Sequence, residues 1–219
     1  MILKPGSKAH DIVAPAVVDD QIRMFYLSSC LRKFVMLLFY PNDFPIICQD
    51  EIPSFFRLAG SFASVDCNLV FISTDSHVAH MAYSRAPRQM GGLGGDCPFP
   101  LVSDKLKHIS QRYGMLDDTS ESCYRGSVLV DPEGVVRTIM YHDFDMPRDP
   151  HKLLKIASAH RIIFGEPHKK IYCPEGWVPG DEVLIEKEDA SEAAGDDART
   201  EWMKHALNKP IRSSHMRYA

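Results

Sequence analysis

No two cysteines in this chain are spaced as CxxC, and none of the six stands at zinc-finger distance from a histidine. Neither a vicinal redox hook nor a structural zinc site is therefore written in the spacing. No apolar stretch of signal-peptide length opens the chain, which begins Met1-Ile2-Leu3-Lys4-Pro5-Gly6. The longest apolar run, Phe34 to Tyr40, is far too short to span a bilayer. Neither sign of charge dominates: 25 Lys and Arg stand against 29 Asp and Glu, a net charge of −4. Interspersed charges in that balance give no long-range pull toward nucleic acid or an anionic membrane. The glycine-rich segment Met90-Gly91-Gly92-Leu93-Gly94-Gly95 lacks the Lys-Ser/Thr of a P-loop and the following helix of a dinucleotide site, which excludes a nucleotide cradle. No internal repeat is present. The chain reads as soluble and cytosolic.

What is there is enough for one α/β domain with an added arm: 219 residues, 45% of them hydrophobic. Ile12 to Val17 and Gln21 to Tyr26 read as strands joined at Asp19-Asp20. Phe34 to Tyr40 reads as a buried central strand, and Asn68 to Ser73 as a second. Helical spacing marks Ser54 to Phe62, His77 to Arg85, Leu106 to Tyr113 and Asp149 to Phe164. Ser127 to Asp131 and Val135 to Tyr141 flank the turn Pro132-Glu133-Gly134. Strands alternating with helices imply helices packed on a central mixed sheet. After about residue 165 the chain turns extended, then acidic and alanine-rich over Glu186 to Asp197, with a short helix expected over Thr200 to Leu207. The organisation expected is a core over 1–165 and a C-terminal arm over 166–219.

A cysteine in such a chain is usually a small buried hydrophobe, and a reactive one has to be argued from its surroundings. Cys30 and Cys67, beside strands, read as structural; Cys97 and Cys123, beside loops, read as open to adventitious disulfides. His77 and His80 share a helix face but have no third ligand, so they read as structural, and no metal is expected. Cys48 is different. The chain leaves a buried strand at Pro41, turns, and enters a helix near Cys48. Such a junction offers orphan backbone N–H groups to an anion and favours a thiolate. Arg125 precedes a buried strand and is the candidate positive partner, although by spacing alone the commoner reading of such an arginine is a surface ion pair.

Six segments in order give this site a family resemblance that covers nearly the whole chain. Phe39-Tyr40-Pro41-Asn42-Asp43-Phe44 with Cys48 and Glu51 is similar to the peroxidatic-cysteine motif of the typical two-cysteine peroxiredoxins. Ser73-Thr74-Asp75-Ser76-His77 with His80, Gly91-Gly92-Leu93-Gly94, Pro100-Leu101-Val102-Ser103-Asp104 and Tyr124-Arg125-Gly126 resemble later segments of that family. The glycine loop resembles that of its hyperoxidation-sensitive members, and Cys173-Pro174-Glu175-Gly176-Trp177 resembles its resolving-cysteine segment. The resemblance implies a thioredoxin-like fold and a peroxidase without a cofactor. Peroxide would oxidise Cys48 to a sulfenic acid. Cys173 of the partner subunit would condense with it, and a thioredoxin-like protein would reduce the disulfide. Pro41 would shield the thiolate, Arg125 would lower its pKa and bind peroxide, and Glu51 and Arg148 would order the arginine network. A homodimer and a ring of five dimers are also implied.

The sequence departs from that pattern at named positions. Pro45 stands where the family has a threonine, so a pocket hydroxyl is missing. Gln49 replaces a proline wall with a flexible amide. Asp50 replaces a threonine and is expected to add a like charge beside the thiolate. Pro53 falls past the first turn of the helix that carries Cys48, at a cost of ~3 kcal/mol, so frayed first turns are expected. Glu201-Trp202-Met203 is the nearest counterpart of the family's Tyr-Phe tail, with Trp202 either capping the site or anchoring the tail. The alternative to a working peroxidase is a peroxidase-impaired protein of the same fold, acting as an oligomeric chaperone or redox-signalling partner.

Overall fold

Two aspartates make the first hairpin turn of the computed structural model, which describes residues 3–95, 97–117 and 119–186. Strand β1 (Val13–Val18) pairs antiparallel with β2 (Gln21–Tyr26), from Val13↔Tyr26 to Val18↔Gln21. Asp19 and Asp20 between them take φ of 49° and 57°. Left-handed values at both positions match the twist of a two-residue hairpin, and aspartate tolerates them better than most side chains. A single turn α1 (Leu27–Cys30) leads to β3 (Phe34–Phe39), in which every residue is buried. Then follow α2 (Ile46–Arg57), α3 (Ala59–Ser64), β4 (Cys67–Ser73), α4 (His77–Arg85), a 3-10 turn over Arg88–Met90, and β5 (Leu101–Ser103). The order ends with α5 (His108–Arg112), β6 (Arg125–Val130), β7 (Val136–His142), α6 (Pro150–Gly165), β8 (Ile171–Tyr172) and β9 (Leu184–Ile185).

Seven strands form one sheet in the order β2-β1-β5-β4-β3-β6-β7. The three central pairings separate the two strand types: β3 and β5 each run parallel to β4, whereas β6 runs antiparallel to β3. This is the mixed α/β sheet expected. Strands β3 and β4 are apolar almost throughout because both faces are covered. Val35, Leu37 and Phe39 meet Val70, Ile72 and Val128 in the main core. The consequence for chemistry is that the C-terminal ends of β3 and β4 and the N-terminal end of β6 meet at one edge, where Tyr40, Thr74 and Arg125 stand.

The chain divides into two compact units, 1–157 and 158–219, with the dividing point inside α6. In the described part of the second unit, β8 pairs antiparallel with β9. Ile171, Trp177 and Val183 form a small cluster there, with Ala159, Ile162 and Cys173 packed on it. The Trp177 indole N–H donates to the Asp181 carbonyl over 3.2 Å. The acidic linker from residue 187, the helix expected over Thr200 to Leu207, and Trp202 lie outside the described residues. Among the described residues no helix is long and apolar enough to cross a membrane.

The expectation of frayed turns around Cys48 is corrected. Helix α2 starts at Ile46, and Pro53 lies inside it. Proline cannot donate to the Gln49 carbonyl, but Cys48, Glu51, Ile52, Pro53 and Phe55 are all buried, and that packing outweighs one missing bond. The helix breaks later, at Leu58, which takes φ −103° and ψ 7°. The expected α5 is shorter than its pattern because Lys107 takes φ 62° and starts the helix late. Hydrogen exchange on the reduced protein checks α2. Amides 49–52 should be protected, while those of Ile46, Ile47 and Cys48, in the first turn, should exchange freely. Free exchange at 49–52 would contradict the continuous helix.

Candidate active site

The loop that delivers Cys48 is fixed before the helix begins. Pro41 is buried at the end of β3. The Tyr40 hydroxyl donates to Asp43 Oδ1 over 2.8 Å. The buried His80 ring lies between Asp43 Oδ2, 2.9 Å from Nδ1, and the Val102 carbonyl, 3.2 Å from Nε2. The Asp43 N–H donates to Asp75 Oδ2 over 2.6 Å. These bonds hold Phe44 in a left-handed conformation at φ 65°, which is costly for a bulky residue and persists only where the surroundings impose it. Pro45 then serves as the N-cap of α2, with extended φ and ψ and no side-chain cap.

Cys48 sits in the first turn of α2 with no exposed surface. Arg125 Nη1 donates to its Sγ over 3.2 Å and to Glu51 Oε2 over 2.6 Å. Glu51 Oε1 accepts from Arg148 Nε over 2.7 Å and from the Arg148 backbone N–H over 2.8 Å. Arg148 Nη1 and Arg125 Nε are anchored on the Gly126 and Phe144 carbonyls, each over 2.7 Å. All four side chains are almost completely buried. Gly126 cannot carry a side chain, since a Cβ there would stand 2.1 Å from Met115 Sδ. The strand beside Arg125 therefore packs directly on that methionine.

Burial pushes the Cys48 thiol up to about 11, against the pull of Arg125; Glu51 adds to the rise and Arg148 opposes it. Burial also works to raise Glu51, yet Arg148 and Arg125 together hold its carboxyl below the usual range. The arrangement can thus present one sulfur to one guanidinium in a buried site, with a carboxylate fixing the guanidinium in place.

Of the residues expected at the site, the structure bonds Cys48, Arg125, Glu51 and Arg148 together, while Pro41 and Pro45 lie on the loop that leads into α2. Cys173 belongs to the second unit, half-buried in the Trp177 cluster, with its thiol raised by burial. Two expectations are corrected. Asp50 is exposed and is not the carboxylate beside the sulfur; residues two apart point to opposite sides of a helix, and the acting charge is Glu51. Cys123 is not open to solvent but fully buried against Ser110 Oγ at 3.0 Å. Gln49 proves tied rather than free: its Nε2 donates to the Phe44 carbonyl over 2.7 Å. A Cβ on Gly91, which takes φ 81°, would stand 2.6 Å from that same nitrogen. The glycine loop therefore rests on the turn that carries Cys48.

Two residues near the site escaped the sequence reading. His142 lies opposite Arg125 in the β6–β7 ladder, with its imidazole lowered by burial and by Arg148. Tyr83 on α4 packs its ring 5.0 Å from that of Phe44. The signal available for Tyr83 was only a polar atom on an otherwise buried helix position.

The family model described as AhpC/TSA matches residues 5–139 of the chain. A thioredoxin peroxidase of Fasciola hepatica is 34% identical over 88% of this chain and 97% of its own length. Peroxiredoxin-2 of Mus musculus is 36% identical over 82% of this chain and 88% of its own. Among solved structures, the reduced 2-Cys peroxiredoxin of Plasmodium vivax superposes with a TM-score of 0.77 at 28% identity, covering 82% of this chain and 92% of that one.

Proposed function

The chain belongs to the AhpC/TSA family, with its thioredoxin-like fold, and is a peroxidase, an oxidoreductase, and we propose that Cys48 is the thiol that carries its chemistry. The observation that supports this most is the 3.2 Å bond from Arg125 to the Cys48 sulfur, braced by Glu51 and Arg148. The Cys48 thiolate attacks one oxygen of hydrogen peroxide or an organic hydroperoxide. The O–O bond breaks, sulfur becomes a sulfenic acid, and the other oxygen leaves as water or an alcohol after taking a proton. Arg125 stabilises the thiolate and the negative charge that builds on the peroxide oxygens. Pro41, buried beside the sulfur's helix, keeps bulk water away.

In this reading the sulfenic acid condenses with Cys173 of the partner subunit, which releases water and forms a disulfide. A thioredoxin-like dithiol then supplies two electrons to restore both thiols. The working unit is a homodimer, and a ring of five dimers is the larger assembly proposed. A reducing compartment such as the cytoplasm suits a chain whose six cysteines are all unpaired.

The second reading, a chaperone or signalling protein with impaired peroxidase, is favoured by one observation: the complete burial of Cys48, which pushes its thiol up to about 11. Stopped-flow oxidation of the reduced protein by hydrogen peroxide, with Cys48→Ser as control, separates the two. A rate far above that of a free thiol is expected; a rate equal to it would leave only the second reading. Non-reducing gels should then show a dimer that needs both Cys48 and Cys173.

Pro45→Thr should help on two counts. It gives α2 the side-chain cap it lacks, worth about 1 kcal/mol. It also returns a hydroxyl to the pocket, which should raise the peroxide rate about tenfold. A Pro45→Thr protein no faster than wild type would show that this donor is not what limits the reaction.

A further inference from the structure

The pocket that lacks a hydroxyl at position 45 holds another one nearby. Tyr83 is fully buried on α4, and among the described residues its hydroxyl has no hydrogen-bond partner. A buried phenol with nothing to bond is costly, and such groups in folded proteins call for a reason. Its surroundings supply one. The Phe44 ring lies 5.0 Å from the Tyr83 ring, and the Leu93 N–H ties the glycine loop to the Tyr83 carbonyl over 2.9 Å. The Tyr83 ring therefore lies against the loop before Cys48, while its backbone is tied to the loop that rests on Gln49. Burial raises the phenol and keeps it protonated, and Cys48 is the charge that acts on it most, ahead of Asp43, Cys97 and Glu51. Tyr83 is thus a buried donor without a partner, its ring packed on the loop that delivers Cys48.

We propose that the Tyr83 hydroxyl is a hydrogen-bond donor to the Cys48 thiolate, taking the part for which Pro45 has no hydroxyl. It bonds the anion rather than the resting thiol, because a thiol is a poor acceptor and a thiolate a strong one. The hydroxyl thus gains its partner when the proton leaves Cys48. The assignment rests on Cys48 as the reacting thiol.

Tyr83→Phe removes one oxygen and keeps the ring against Phe44. Mass-resolved alkylation of the Cys48 peptide by iodoacetamide between pH 7 and 9 reads the thiolate population; it should fall about 10- to 100-fold in the variant. Thermal stability of the reduced protein should hold or rise, since an unpartnered polar atom has been deleted from the core. Stopped-flow oxidation by hydrogen peroxide should slow by the same factor as alkylation. An alkylation profile that matches wild type overturns the Tyr83 bond alone. Slower alkylation with a lower melting temperature also overturns it, because the hydroxyl would then be a structural bond of the resting state. If Tyr83→Phe slows alkylation but wild-type Cys48 meets peroxide no faster than a free thiol, the bond stands and the peroxidase role of Cys48 fails.

Discussion

Arg125→Met should slow the oxidation of Cys48 by hydrogen peroxide by about 10²–10³-fold, the loss found when one pre-positioned donor is removed from an oxyanion site. Arg125 is the side chain that donates to the Cys48 sulfur, and it does so from a position only 2% exposed. Water cannot replace it there. Methionine fills much of the same volume without a charge, so the loss reports on the guanidinium rather than on a cavity. The fold should survive, because Glu51 keeps Arg148, bonded through both its Nε and its backbone N–H. Stopped-flow kinetics with circular dichroism on the same sample checks both halves. A variant that is folded and within tenfold of wild type would remove Arg125 from the chemistry.

Glu51→Gln should act the opposite way, on stability first. It takes away the one carboxylate between Arg125 and Arg148 and leaves two buried guanidiniums unbalanced. Removing the partner of a buried charge costs about 3–5 kcal/mol. A urea midpoint measured at neutral pH reads that loss. The pH dependence has a definite sign. The folded carboxyl of Glu51 is held below its usual value, so its stabilisation is complete above the unfolded value of about 4.3 and is lost as pH falls through the lower folded value. Wild type should lose that increment on the acid side, and Glu51→Gln should not. Since Glu51 also raises Cys48, the variant's thiol should ionise at a lower pH than the wild type's value of about 11. A protein made less stable and more acidic at sulfur by one substitution would separate the two duties of this carboxylate. Unchanged stability would mean that the arginines find other partners.

Much of the site could be read from the sequence because its parts are held by local chemistry. A strand that ends at Pro41, a helix that begins near Cys48, and an arginine before a glycine in β6 are short-range features. The core strands β3 and β4 announced themselves by unbroken apolar runs, and the β6–β7 hairpin by its Pro-Glu-Gly turn. What stayed hidden depends on distance or direction. Strand β5 has only three residues and β8 and β9 only two each, too few for a period to show. The side on which Asp50 points depends on where α2 starts, and Pro53 argued for a later start. The helix holds because Glu51 is gripped by two arginines from far along the chain, 74 and 97 residues away. Tyr83 reads as an ordinary buried helix residue until its neighbours are known, because a missing hydrogen bond leaves no mark in a sequence.

The cluster of Cys48, Glu51, Arg125 and Arg148 is also a small capacitor. With the sulfur protonated, one carboxylate faces two guanidiniums, so one positive charge is left over in a region closed to water. Ionising Cys48 would discharge it, and forming the neutral sulfenic acid of the proposed cycle would charge it again. Oxidation one step further, to a sulfinate, would discharge it for good, since that anion cannot be neutralised at physiological pH. The surplus that favours the thiolate against burial would therefore leave the over-oxidised state in a pocket as evenly balanced as the thiolate's. The cell would meet it as an enzyme that stays folded, and grips its own damage.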